Sequence, residues 1–454
     1  MLILSMIVYG MAFDFFNISG SLFVEQEAKS SIRASAQGLF FMMTNGLGAI
    51  MGGYASGAVV DAFSVYADGR LVSREWMNIW LIFAAYALVI GILFAYVHEE
   101  RVRELTQNRV MASIPYGGRY RLVDFPLSNM VNSGINRVGV ITKRNYQSLM
   151  DHLGTGKAWD LSRKRDGLFI LPPFGAGGGD FSNRIEILHA NMGFLTNCKE
   201  EYVLLSDCDA IFNMDFKRVI AEHIKNEADV TLIYRWGRLP KNGDETMVLS
   251  LEPDGRIKDL IIDPNGDEEY NYAFNMLLIK RELLIRLVNE CSSRNKTNFK
   301  RDILQSNVEQ LKMFGYEFDH YSHVICSMND YFEANMELMS SEIRDDLFNA
   351  QRPIYTKVRD DMPARYGLGS VVKNSLIANG CVIDGEVENC ILFRGVKIDK
   401  GAKVKNCVIM QDTRIGSNCS LKYVITDKDV LIKDGRTLMG FQSYPVYISK
   451  ASVV

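Results

Sequence analysis

The chain has 454 residues, of which 48% are hydrophobic, and its formal net charge is −3. This length suggests about three domains and a large core. The slightly acidic balance argues against a nucleic-acid partner, because such partners select an excess of Lys and Arg. The eight cysteines form no Cys-x-x-Cys pair and no zinc-type group with histidine. We therefore expect buried thiols in a reducing compartment.

Three apolar stretches of membrane-spanning length follow one another at the start of the chain, at residues 2–24, 34–60 and 76–97. The second stretch is rich in glycine, as membrane helices packed against other helices tend to be. The pattern predicts about three transmembrane helices, and a membrane association made only through residues 1–97.

The runs SMIVYGMAFDFFNISGSLFVEQ, at residues 5–26, and IRASAQGLFFMMTNGLGAIMGG, at residues 32–53, carry a family resemblance. They are similar to the last three spans of a nucleoside:proton symporter of the major facilitator superfamily. This family resemblance implies that residues 98–454 are cytoplasmic. Such carriers need two helical bundles that rock around a central site. Because three spans cannot form two bundles, we do not expect this chain to transport a nucleoside alone, and a membrane transport fragment remains the third hypothesis for its function.

The segment ALVIGILFAY, at residues 87–96, fits two incompatible structures. It has the composition of the end of a membrane helix and equally that of the first buried strand of an α/β domain. Either the helix forms and the sheet lacks its central strand, or the strand forms and only two clean spans remain. A fused or truncated reading frame is our leading hypothesis for this join.

The run LTQNRVMASIPYGGRYRLVDFPLSNMVNSG, at residues 105–134, contains recognisable turns and helix ends. Gly117 and Gly118 predict a turn at which the backbone can approach a ligand, with Arg119 beside it as an anion contact. Asp124 precedes a helix that returns into the sheet. The alternative is an ordinary crossover helix whose arginines are solvated.

This run resembles the part of sugar-phosphate nucleotidyltransferases in which Arg-Ala-Lys-Pro precedes a Phe-Gly-Gly-Lys turn and Ile-Asp-Phe. The family extends to bacterial glucose-1-phosphate adenylyltransferase, and the likeness to its D-type, regulatory subunit covers residue 88 to the end of the chain. The resemblance implies a substrate-binding set in this chain consisting of Arg101, Arg109, Gly117, Gly118, Arg119 and Asp124. It also implies three regions: a transmembrane fragment at 1–87, a nucleotidyltransferase-like domain at 88–350 and a β-helix at 351–454.

Apolar strands alternate with helical patterns from residue 102 to residue 343, which predicts a Rossmann-like α/β domain with a mostly parallel sheet. Strands are predicted at residues 138–142, 202–206, 230–234 and 275–279. The glycine-rich segment 174–181 has no apolar pattern and is interpreted as a loop near the cleft or as a linker.

Nucleotidyl transfer needs a backbone cradle for the triphosphate, cations and carboxylates that hold Mg²⁺. At the position of the family's glycine-rich loop this chain has Tyr96-Val97-His98-Glu99-Glu100, whose side chains fill the cradle. Asp207, after a predicted strand, is the remaining catalytic candidate, and its alternative role is that of a turn or capping residue. Magnesium is expected only if the chain is catalytically active.

Other family positions also depart from the pattern, since Met111 replaces a lysine, Asp263 replaces the lysine of Glu-Lys-Pro and Val324 falls near the late metal-binding aspartate. The losses concern phosphate and metal ligands, whereas scaffold residues are kept. The resemblance therefore implies a regulatory subunit in a hetero-oligomer with a catalytic adenylyltransferase subunit, with a sugar phosphate or an anionic effector as a candidate ligand. An active nucleotidyltransferase with an altered cradle is the alternative.

Aliphatic residues recur at six-residue spacing near the C-terminus, which predicts a left-handed β-helix. The predicted inward positions are Val371, Ile377, Ile383, Leu392, Ile398, Val404, Ile409, Ile415 and Leu421. Such a domain usually mediates contacts between subunits. Residues 349–362 are interpreted as the connector that precedes it.

Overall fold

The computed structural model describes residues 24, 33–42, 64–67, 70–74, 89–164, 166–172, 183–240, 245–264 and 268–454. The chain divides into two units, Met1–Ala85 and Tyr86–Val454. In the first unit, the described residues include helix α1 (Arg33–Phe41) and the antiparallel strands β1 (Ser64–Ala67) and β2 (Arg70–Arg74). None of the helices in the described ranges is long and apolar enough to cross a membrane. Most of the three predicted spans, like the predicted loop at 174–181, lies outside the described residues.

The second unit begins with alternating strands and helices. Its strands β3 to β15 are Val89–Phe94, Pro115–Tyr116, Tyr120–Arg121, Arg137–Ile141, Gly167–Leu171, Tyr202–Asp207, Ala210–Phe212, Val230–Arg238, Met247–Leu251, Ile257–Ile262, Glu269–Lys280, Met313–Glu317 and Ser322–Val324. Its helices α2 to α10 are Arg103–Thr106, Asp124–Asn132, Gln147–Leu153, Arg184–Ala190, Met192–Thr196, Phe216–Lys225, Arg281–Ser293, Met328–Glu337 and Ser341–Leu347. Each of the predicted strands, at 138–142, 202–206, 230–234 and 275–279, is confirmed.

A nine-stranded sheet organises this region, with β12-β11-β13-β8-β3-β6-β7 as its main order and β10 and β14 joined through β13. Strands β8, β3, β6 and β7 are parallel, and β13 pairs antiparallel with β8. One hydrophobic cluster includes Ile90 and Ile92, and a second includes Val89 and Leu93. Because neighbouring residues of one strand face opposite ways, these clusters cover the two faces of the sheet.

Strand β3 settles which structure the segment 87–96 adopts. All six of its residues are buried, and it lies between β6 and β8, parallel to both. Gly91 packs closely against α3, since a Cβ at this position would lie 2.5 Å from the sulfur of Met130 and would require that side chain to move. The predicted membrane helix at 76–97 is therefore wrong for residues 89–94, because the sheet completes the hydrogen bonds of this apolar segment and buries it on both faces.

The C-terminal region is a parallel β-helix. Its strands β16 to β30 are Arg365–Tyr366, Val371–Lys373, Leu376–Ile377, Val382–Ile383, Glu386–Glu388, Ile391–Leu392, Lys397–Ile398, Lys403–Lys405, Val408–Ile409, Arg414–Ile415, Ser420–Lys422, Val424–Thr426, Leu431–Ile432, Thr437–Met439 and Val446–Ile448. They form three parallel sheets of five strands each. The predicted inward positions are confirmed except at Val371, which is 45% exposed. Its neighbour Val372 packs on the core instead, opposite Val387 of the next coil.

The β-helix and the α/β region share a hydrophobic core. It joins Phe125 of α3 and Tyr331 of α9 to Ile391, Phe393 and Val408 of the β-helix. All eight cysteines are buried and free, which confirms the expected thiols. Within Tyr86–Val454, the two folds are therefore packed as one body.

Candidate functional site

The two glycines of the 105–134 run form the turn of the β4–β5 hairpin, with φ angles of 59° at Gly117 and 79° at Gly118. The Gly117 amide donates a hydrogen bond of 3.1 Å to Oδ1 of Asn335 on α9. A Cβ on Gly118 would lie 3.4 Å from the carbonyl oxygen of Leu392 in the β-helix. The positive φ angles therefore favour glycine at both positions, and the turn packs against α9 and the β-helix.

Asp124 is fully buried and organises the start of α3. Its Oδ2 accepts a hydrogen bond of 3.0 Å from the Arg121 amide, and its Oδ1 lies 2.6 Å from Nε2 of His152. Burial lowers the pKa of His152 even though Asp124 opposes this shift. A neutral imidazole then donates to the carboxylate, and the pair fixes the hairpin to α4.

Arg109 is 3% exposed and joins the α/β region to the β-helix. Its Nη2 donates to both carboxylate oxygens of Asp427 at 2.7 Å, and the hydroxyl of Tyr447 donates to the same carboxylate at 3.0 Å. Arg119 is exposed on the hairpin, and Arg101 is partly buried after the β3 turn. The substrate-binding role of Arg101, Arg109 and Arg119 stays a prediction.

Replacing Arg109 with Met is expected to lower the free energy of unfolding by about 3–5 kcal/mol, because Asp427 would be left buried without its cation. Urea denaturation of the full chain measures this loss. The double variant Arg109→Met/Asp427→Asn is the matched control, and it should recover most of the loss. A single variant as stable as the parent would contradict a structural role for this ion pair.

The predicted catalytic carboxylate is paired with a cation from the chain itself. Asp207 ends β8 and is 2% exposed, and its Oδ1 accepts a hydrogen bond of 2.5 Å from Nη2 of Arg184. Arg184 is the first residue of α5, and its guanidinium lies 4.3 Å from the ring centroid of Phe94 at the end of β3. Burial raises the pKa of Asp207, with Asp209 adding to the shift and Arg184 opposing it.

The turn after β3 fills the place of the glycine-rich loop. His98 has a φ angle of 57°, and its Nε2 lies 3.2 Å from Oδ2 of Asp209. Burial alone would lower the pKa of His98, but Asp209 and Asp207 together raise it. Glu99 also turns inward, where its Oε1 accepts a 3.2 Å hydrogen bond from the Met111 amide and burial raises its pKa to about 7. The side chains of His98 and Glu99 therefore fill this turn.

Two cavities adjoin these groups. The first is lined by His98, Asp207 and Asp209 together with Phe274 and Val324, and the second by His98, Arg184, Asp207, Glu245 and Lys300, among others. None of the six predicted substrate-binding residues lines either cavity. Val324 does lie at the cleft, as its alignment with the late metal-binding aspartate implied, and it brings an apolar side chain there.

The cleft offers a magnesium ion few free ligands. Arg184 donates to Oδ1 of Asp207, and His98 lies 3.2 Å from Asp209, although Oδ2 of Asp207 is buried without a hydrogen-bond partner among the described residues. Across the described ranges, no group of three or more His, Cys, Asp or Glu side chains is arranged to hold a metal. Sequence reasoning missed these two pairs. Arg184 and Asp207, like His98 and Asp209, are far apart in the chain, so no local spacing indicated that they meet.

Comparison with known proteins agrees with this architecture. Residues 98–341 match the family described as Nucleotidyl transferase, and residues 361–443 match the family described as GlmU-like, C-terminal hexapeptide. Residues 1–103 match the family described as Nucleoside H+ symporter, a range that includes strand β3. The fold and the cleft thus define a nucleotidyltransferase-type protein.

Individual relatives narrow this class. The chain is 37% identical to "Glycogen biosynthesis protein GlgD" of Bacillus subtilis (strain 168) over 374 residues, which cover 80% of this chain and 96% of the relative. It is 33% identical to "Glucose-1-phosphate adenylyltransferase" of Geobacillus stearothermophilus over 329 residues, which cover 69% of this chain and 82% of that protein. The chain therefore belongs to the nucleotidyl transferase family that includes these two proteins.

Proposed function

We propose that this chain is a regulatory subunit of glucose-1-phosphate adenylyltransferase in glycogen biosynthesis, with little or no turnover of its own. Its similarity to glycogen biosynthesis protein GlgD and to the adenylyltransferase supports the pathway. The observation that supports the regulatory role is the pairing of Asp207 with Arg184 in the cleft. The proposed place of action of residues 98–454 is the cytoplasm.

The chemistry of the reaction supports the loss of turnover. Forming ADP-glucose and pyrophosphate from ATP and glucose 1-phosphate requires a held triphosphate and neutralisation of its developing charge. Here the side chains of His98 and Glu99 occupy the turn that would hold the phosphates. The guanidinium of Arg184 is paired with the carboxylate of Asp207. The scaffold of the enzyme is kept, whereas the cleft carboxylate Asp207 is paired with a cation of the chain itself.

The first coil of the β-helix offers a surface for the catalytic subunit. Its strands β16, β17 and β18 each pair with one neighbour only among the described residues, so their outer edges are open. Tyr366 and Val371 are 52% and 45% exposed, and Leu368 is fully exposed. At the other end, the C-terminal tail covers strand β28, since the Leu431 amide donates to the Ser452 carbonyl at 2.9 Å. Open strand edges with apolar side chains are surfaces that proteins usually cover.

An anionic effector is proposed at the junction between the two folds. Lys428 lies near Arg121 and Arg109 there, and burial together with these two cations lowers its pKa to about 7, while Asp427 opposes the shift. Burial also lowers the pKa of Arg121 to about 10. An anion placed among these groups would relieve their repulsion. A phosphate-bearing effector is thus the ligand class that fits this cluster.

The decisive experiment measures pyrophosphate release from ATP and glucose 1-phosphate. The full chain alone is expected to give only background release. Mixed with a catalytic adenylyltransferase subunit from the same organism, it is expected to raise the rate or shift the effector response. Turnover by this chain alone would instead support the alternative of an active nucleotidyltransferase.

The variant Leu368→Glu tests the proposed surface in the same mixture, because a charge at the open coil should oppose docking. We expect it to abolish the effect on the catalytic subunit and the co-elution of the two chains on gel filtration. Met439→Glu, which changes a side chain that is 62% exposed on another coil, is the matched control and should retain both. If the Leu368→Glu variant still assembled with the catalytic subunit, the interface would lie on another surface.

A further inference from the structure

Two buried carboxylates lie at the carboxyl end of β8. Asp207 and Asp209 are 2% and 3% exposed, and both border the first of the two cavities described above. Their negative charges interact, because Asp209 adds to the raised pKa of Asp207. Buried anions need positive charge nearby, since an uncompensated buried charge strongly destabilises a fold. In nucleotidyl transfer, Mg²⁺ bound by carboxylates supplies such charge.

In this chain, side chains from distant segments bring the positive charge. Nη2 of Arg184 donates to Oδ1 of Asp207 at 2.5 Å, and Nε2 of His98 lies 3.2 Å from Oδ2 of Asp209. Lys300, which is 9% exposed, borders the second cavity together with Arg184 and Asp207. The two carboxylates are therefore approached by cations of the chain itself.

Arg184 is held at this place by aromatic rings as well as by its ion pair. Its guanidinium carbon lies 4.3 Å from the ring centroid of Phe94 and 5.7 Å from that of Phe299. Both rings are buried, and Phe94 ends the central strand β3. A planar and weakly hydrated guanidinium packs well on aromatic faces. The position of Arg184 is thus fixed by the core of the cleft.

One oxygen of this carboxylate pair has no hydrogen-bond partner. Oδ2 of Asp207 is buried, and no donor reaches it within the described ranges. Carboxylate oxygens of this kind, together with several waters, are what Mg²⁺ uses in proteins. A divalent cation that approached this oxygen would meet the charges of Arg184 and Lys300 at the same cavity.

We propose that Arg184 takes the place of a divalent metal ion at Asp207, and that the carboxylates of Asp207 and Asp209 form a latent metal site. Removing the charge of Arg184 is expected to open this site to a hard cation such as Mg²⁺ or Mn²⁺. The inference rests in part on the proposed function, whose low turnover it explains. Metal binding is measured without substrate or partner, so its failure is distinguishable from a failure in the pyrophosphate assay.

Binding of Mn²⁺ to the full chain, followed through the electron paramagnetic resonance signal of the free ion, tests the proposal. The double variant Arg184→Ala/Asp207→Asn gives the baseline, and the parent should match it. Arg184→Ala, whose short side chain leaves room for a hydrated ion, should bind about one more ion per chain. At a Mn²⁺ concentration of about 100 times Kd, its ratio of folded to unfolded chain in urea should rise about 100-fold, whereas that of the parent should not change.

Arg163→Ala is the matched surface control. It frees the carboxylate of Asp160, which pairs with Arg163 at 2.7 Å but is 86% exposed, and it should bind no additional ion. Arg184→Gln, whose amide can still donate to Asp207, provides the same test if Arg184→Ala does not fold. Circular dichroism with and without Mn²⁺ establishes folding.

Three outcomes would overturn the proposal. The first is binding of Mn²⁺ by the parent above the baseline, because the guanidinium would then not occupy the place of the metal. The second is a folded Arg184→Ala or Arg184→Gln variant that binds no more Mn²⁺ than the baseline. The third is failure of both variants to fold even when Mn²⁺ is present, because the ion could then not replace the guanidinium.

Discussion

A chain that begins at Tyr86 is expected to unfold cooperatively in urea, whereas a chain that begins at Val97 is expected not to fold. The first retains strand β3 and the second lacks it. Without β3, strands β6 and β8 lose their shared neighbour, and both hydrophobic clusters lose side chains. Deleting one buried aliphatic side chain lowers the free energy of unfolding by about 2–5 kcal/mol. The loss of several such side chains therefore exceeds the whole free energy of unfolding of a typical protein, about 5–15 kcal/mol.

The point variant Ile92→Asp tests the same strand without shortening the chain. It keeps the length of the chain but buries a carboxylate at a position that is 1% exposed, and it should also prevent folding. Far-ultraviolet circular dichroism and urea titration give the readout. A folded chain from Val97 onward would show that β3 is dispensable, and the membrane-helix assignment of this segment would then regain support.

Replacing Arg184 with Met is expected to destabilise the protein by about 3–5 kcal/mol, because it leaves the Asp207 carboxylate buried without a partner. The two side chains are only 17% and 2% exposed, so water can replace the guanidinium only in part. The double variant Arg184→Met/Asp207→Asn removes the unpaired charge and should recover most of the loss. Urea denaturation of the parent and both variants measures the difference.

The pH dependence of the Arg184→Met variant gives a second test. The pKa of Asp207 is already raised in the parent, and the loss of Arg184 removes a group that opposes this shift. A carboxyl whose folded pKa lies above its unfolded value destabilises the fold while it is ionised, and protonation relieves that cost. The deficit should therefore shrink as the pH falls from about 8 to about 5. A deficit that grows over this range would contradict the assignment.

Local sequence determined the elements whose hydrogen bonds and packing are made by nearby residues. The pair Gly117-Gly118 specified a tight hairpin turn, and six-residue spacing specified the coils of the β-helix. The buried strands from Arg137, Tyr202 and Val230 were equally evident, because their apolar runs are short and continuous. At Val371 the spacing was wrong by one residue, because the inward residues Val372 and Ile377 are five apart, as Val387 and Leu392 are in the next coil.

The tertiary structure decided the features that depend on partners distant in the chain. Residues 89–94 are apolar enough for a membrane or a sheet, and only pairing with β6 and β8 selects the strand. Arg109 finds Asp427 in the β-helix, and Asp207 finds Arg184 across the cleft. A charge does not reveal its partner in sequence, because the energy of an ion pair depends on distance and burial, which only the folded chain establishes.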